Sequence, residues 1–157
     1  MADPARLLDR DTPGYDEDFC RWAEAQASLL RAGRFDALDI ENLAEEVEDM
    51  AKRDRRAVES NLRIVLIHLL KYRFQPEERS GSWLASIREH RLRIWRDLRD
   101  SPSLRRHLAA EFSDCYRDAR RLAADETGLA VARFPEEPFL DVRDALDEDY
   151  LPDTPPS

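Results

Sequence analysis

Apolar side chains recur at intervals of three and four along most of this chain, the spacing that places them on one face of an α-helix. Phe19, Trp22, Ala23, Gln26, Leu29 and Leu30 share the first such face. It predicts a helix over about 17–32, capped by Asp16 and stopped by Gly33 in the left-handed conformation. A second face begins near Asp39 with Ile40, Leu43, Val47, Met50 and Ala51 and continues through Val58, Leu62, Val65, Leu66 and Leu69. No proline or glycine interrupts it before Pro76. A helix of about 36 residues would run ~54 Å, which predicts a bend near 52–56. Ile64 to Leu70 is apolar on nearly every side and predicts the most buried helical segment.

After a loop over 76–82, Ser82 is the expected cap of a third helix carrying Trp83, Leu84, Ile87, Ile94, Trp95 and Leu98. Ser101-Pro102 supplies a cap and a first-turn proline for a fourth, with Leu104, Leu108, Phe112, Cys115, Tyr116, Ala119, Leu122 and Ala123 on its face. Prolines crowd the tail and leave room for one short helix around 140–146. The expectation is an all-α helical bundle: about four main helices, one long or bent, plus a short C-terminal helix. Residues 15–152 should form a single helical domain, with 1–14 a loose arm and 153–157 a disordered tail.

Composition supports this and narrows the chemistry. Four glycines and few Val or Thr among 157 residues do not suit a turn-rich β protein. The longest apolar run is broken by His68, so no membrane span is expected, and the first residues carry no signal-peptide pattern. Together with two cysteines expected as reduced core thiols, Cys20 and Cys115, this places the chain in the cytoplasm. No metal-ligand spacing and no Gly-rich phosphate loop is present, so no cofactor or metal is expected.

The net charge of −9 is unevenly spread. Residues 1–51 carry five Arg against fourteen acids, 52–121 carry eighteen Lys and Arg against ten acids, and 122–157 carry two Arg against ten acids. An acidic whole argues against nonspecific nucleic-acid binding. The acidic ends are expected to fold across the basic middle and neutralise it.

Polar side chains on apolar faces are the candidates for a site, because burial without a partner costs several kcal/mol. Asp54 falls in the stripe of Val47, Met50, Ala51, Ala57 and Val58, and Arg91 falls between Ile87, Ile94 and Leu98. Each alone would be prohibitive if buried, so the two are expected to meet or to find other opposite charges. His68 shares a stripe with Asn61, Ile64, Lys71 and Gln75. His68 and Lys71 with an incoming Arg88 or Arg91 could bind a phosphate or carboxylate. Each of these residues also has a structural reading: a buttress for the pair, a hydrogen-bonded core residue for the histidine. Gln26 and Tyr116 are expected to be satisfied core polars.

Several segments together resemble a bacterial family catalogued as domain of unknown function 29. They run from Tyr15-Asp16-Glu17-Asp18-Phe19 and Trp22 through Leu29 to Phe35 and Leu38 to Glu46, then His68-Leu69-Leu70-Lys71, Phe74-Gln75-Pro76 and Ser82-Trp83. Ile87-Arg88, Pro102-Ser103-Leu104, Tyr116 with Ala119-Arg120, and Leu151-Pro152 complete the set. The family's pattern includes an acid at the position of Asp54 and the His-Leu-Leu-Lys segment. The resemblance implies a compact helical protein with no assigned activity, ligand or catalytic residue.

Two functions lead at this point, ahead of nucleic-acid binding through a patch formed by the basic middle. One is a non-enzymatic protein-interaction or regulatory module, with a protein partner or a second copy of itself. Trp22, Trp83 and Trp95 would not all fit in a small core, so one should mark a contact surface. The other is a small enzyme or anion-binding receptor built from Asp54, His68, Lys71, Arg88 and Arg91. A pocket gathering three of those side chains would favour the second, and their dispersal the first.

Overall fold

A computed structural model describes residues 13–153. The arm expected at 1–14 and the tail expected at 153–157 lie almost entirely outside these residues. In chain order the elements are α1 (Phe19–Arg31), α2 (Ile40–Phe74), α3 (Gly81–Asp100), α4 (Leu104–Thr127) and α5 (Val142–Leu146), with single 3-10 turns at Phe35–Ala37, Pro76–Glu78 and Val131–Arg133. Among the described residues there is no strand. The fold is the all-α bundle that the periodicity predicts. Helix α2 is one helix of 35 residues, continuous in its hydrogen bonding through 52–56.

The described residues group into two compact units, 13–52 and 53–153. In the first, Asp18 rather than Asp16 caps α1, its carboxylate accepting from the Arg21 amide. Gly33, at φ +68°, turns the chain out of the helix, a conformation that costs glycine nothing. Trp22, Ala25, Gln26 and Leu29 form the buried face of α1. Asp39 organises the start of α2. Its carboxylate accepts from the Asn42 amide and side chain and from the Trp22 indole N–H, while its own amide donates to Gln26 Oε1 at 2.9 Å. Gln26 is thereby the satisfied core polar its position required.

The second unit holds a continuous apolar core. Val58, Leu62, Val65, Leu66, Leu69 and Leu70 of α2 meet Ile87, Ile94 and Leu98 of α3, the buried face of α4 from Leu104 to Ala123, and Phe134, Leu140, Ala145 and Leu146 beyond it. Two helix starts differ from expectation. Ser80, not Ser82, caps α3, accepting from the Trp83 amide. Ser101 ends α3, and α4 begins at Leu104 after a turn in which the Leu104 amide donates to the Ser101 carbonyl. Proline lacks an amide hydrogen, so Pro102 fits inside that turn as readily as in a helix's first turn. Gly128, at φ +70°, closes α4 as expected.

Candidate functional site

Arg91 sits on the α3 face between Ile87 and Ile94 and is 3% exposed. Its partners are carbonyls rather than a carboxylate. Nε donates to Ala145 O at 2.8 Å, Nη2 to Tyr150 O at 3.0 Å and Asp144 O at 3.4 Å, and Nη1 to Glu148 O at 3.5 Å. One turn on, the Trp95 indole N–H donates to Leu146 O at 2.9 Å. The last carbonyls of a helix have no partner within it. Here α3 supplies those partners to α5, and the planar guanidinium fork suits several acceptors at once. Burial lowers the Arg91 pKa, while Asp147, Glu148 and Tyr150 favour the cation.

The same device recurs on α4. Arg120 Nε donates to Phe134 O at 2.8 Å and the Tyr116 hydroxyl donates to Pro135 O at 2.9 Å. The segment after α4 is therefore held through its backbone by long polar side chains from α3 and α4, while Phe134 fills the core between them edge-to-face with Phe74.

His68 is half-buried on α2, its Nδ1–H donating to the Ile64 carbonyl at 2.9 Å. His90 of α3 donates from Nδ1 to Asn61 Oδ1 at 2.7 Å, and the Asn61 amide donates in turn to Ala57 O. Burial, then Arg93 and His68, push the His90 pKa down, and Glu89 opposes them. Lys71 lies between Glu126, at 2.9 Å, and the face of Trp83, at 4.7 Å from the ring centroid. Both contacts suit a cation largely withdrawn from water.

The remaining two candidates face solvent. Asp54 and Arg88 are exposed. The pairing of Asp54 with Arg91 is thus corrected: the apolar stripe that carries Asp54 is uncovered, so its carboxylate needs no partner, and Arg91 takes carbonyls. Cys20 is likewise exposed rather than a core thiol, while burial pushes the Cys115 thiol up to about 11 and removes it as a nucleophile near neutral pH. Among the described residues, Arg91 and Arg120 of the basic middle meet the tail through its backbone carbonyls.

A groove of about 580 Å³ opens beside α5, lined by Trp95, Arg105, Val142, Arg143, Leu146, Asp147 and Glu148. None of the five candidates lines it. Its two arginines and two carboxylates leave it without net charge, and the Arg105 guanidinium lies over the Trp95 ring at 4.7 Å. Among the described residues no group of three or more His, Cys, Asp or Glu could hold a metal ion, and no helix is long and apolar enough to cross a membrane.

A different surface was not singled out in the sequence. From Ile40 to Ala57 no side chain of α2 is buried. Val47 is 64% exposed and Met50 60%, and Phe35 and Ile40 are as open. Elsewhere the exposed large apolar side chains, such as Leu92 and Val131, are well separated in sequence and unremarkable. On α2 they repeat at helical spacing and form a stripe. The signal was the stripe of Val47, Met50 and Ala51 itself. Periodicity shows that a face is apolar but not what covers it.

A family model described as "Domain of unknown function DUF29" matches residues 15–151. Comparison with curated proteins and with solved structures finds no match.

Proposed function

Because the chain belongs to the DUF29 family, a membership that brings no activity with it, we propose from its surfaces that it is a non-enzymatic protein-interaction or regulatory module docking through α2. The observation that carries this reading is the uncovered stripe of Ile40, Val47, Met50 and Ala51 on a helix that buries nothing before Val58. Apolar area at helical spacing gains roughly 25 cal/mol per Å² when a partner covers it.

The rival receptor loses ground for a related reason. Arg91 is taken by four carbonyls, Lys71 by Glu126 and Trp83, and Asp54 and Arg88 face solvent. The groove beside α5 balances its charges and so does not select an anion. The thiols of Cys20 and Cys115 are unpaired, which suits the reducing cytoplasm as the working compartment.

The test is positional. A photo-crosslinking residue at Val47 should join the chain to protein in cells, and the same residue at exposed Arg88 should not. Cross-linking that is absent at Val47, or equal at both positions, would remove this reading.

A further inference from the structure

We propose that the partner is a second copy of this chain, with the two α2 helices paired antiparallel about a twofold axis near Ala51. This rests on the interaction reading above and goes further by naming the occupant. The charge sequence along α2 selects it. Residues 41–49 carry five acids and no base, and 52–56 carry Lys52, Arg53, Arg55 and Arg56 against Asp54. Such a helix is complementary to its own reverse. Parallel pairing would lay acid beside acid and base beside base, which repels.

Geometry sharpens the register. At 100° per residue, Ile40, Val47 and Ala51 fall within about 40° of one line along α2, and Met50 lies beside it. Glu48 and Arg55 are seven residues apart, so both project from the same flank of that stripe, one on each side of Ala51. Both are exposed. A twofold near Ala51 therefore brings each Glu48 beside the partner's Arg55, and the small side chain at the axis allows the helices to approach to the usual 8–10 Å.

Asp54, seven residues after Val47, lies on the stripe itself and comes level with the partner's apolar turn. A polar residue at such a seam restricts register at a cost in affinity. That gives the anomalous acid of the sequence a physical role. Asp54→Leu should tighten the pair.

The experiment is sedimentation equilibrium of the purified full chain in a Cys20→Ser background, with circular dichroism of every variant to show that α2 is retained. The expected result is twice the 18.3 kDa mass of the chain. Val47→Glu should give a monomer. Glu48→Arg should weaken association by tenfold or more, and Glu48→Arg combined with Arg55→Glu should restore it, an exchange that a parallel pair would not reward. A dimer indifferent to Val47→Glu and to the charge exchange would overturn the proposal. A monomer at all concentrations would also overturn it. In that case, continued cross-linking at Val47 leaves the interaction reading standing with a different protein as partner, and its loss removes both.

Discussion

In residues 53–153 the apolar helical faces are buried, and polar groups that fall among them, Arg91 and Tyr116, are bonded to backbone carbonyls. In residues 13–52, α1 buries Trp22, Ala25 and Leu29, yet Val47 and Met50 on α2 stand in solvent. The helix over 40–57 therefore rests on its bonds to Tyr15, Trp22 and Gln26 and on local terms. These are the Asp39 carboxylate at its first turn, Glu41 near the positive end, a run of Glu, Ala, Lys and Arg with high helix propensity, and the Asp49–Lys52 pair at 3.0 Å. The apolar stripe on this part of α2 is the surface that the proposed docking would cover.

The largest effect should come from the core. Phe134→Ala removes a fully buried ring and should cost about 3–5 kcal/mol in urea unfolding. Val47→Ala, measured on dilute protein, should change stability by less than about 0.5 kcal/mol. Comparable losses would mean that the stripe is buried within the chain and would erase the contrast.

Arg91→Ala should come next, at about 3 kcal/mol, because four carbonyls beside α5 lose its guanidinium as a donor. Arg91→Lys should recover only part, since an ammonium cannot present the same fork. Asp54→Ala should stay within about 0.5 kcal/mol under the same conditions. A large loss for Asp54 that cannot be added to that of Arg91 would restore the ion pair.

Within the first unit, Asp39→Ala should cost about 1–2 kcal/mol through the lost cap and the stranded Trp22 N–H. The smallest effect concerns pH. Because the folded state lowers the His90 pKa below its ordinary 6.5, the unfolded chain binds the extra proton first. Stability should be full above pH 6.5 and decline as pH falls below it toward the folded value. His90→Asn should flatten that decline. An unchanged slope would place the titration elsewhere.

The helices were legible in the sequence because each has a periodic face and a chemical stop: Gly33 and Gly128 end α1 and α4 as their positions predict. Cap positions slipped by two residues, at Asp18 and Ser80, because neighbouring Asp and Ser residues can all accept from a first-turn amide. Arg91 was correctly placed in the interior. Its partners were not legible, since a backbone carbonyl has no residue identity and its position depends on how the segment around α5 returns to α3. Asp54 failed for the opposite reason. Its stripe is real, but a stripe carries no information on whether a neighbour covers it.

The most direct test of the open face is the rate of Met50 oxidation by peroxide as the protein is diluted, followed by mass spectrometry. Met50 is 60% exposed in the single chain, and its thioether reacts according to its access to solvent. The expected result is rapid sulfoxide formation in dilute protein and progressive protection as concentration rises through the range where α2 pairs. Protection at every dilution would show that the stripe is buried within one chain, and equal reactivity at every concentration would show that no second copy covers it.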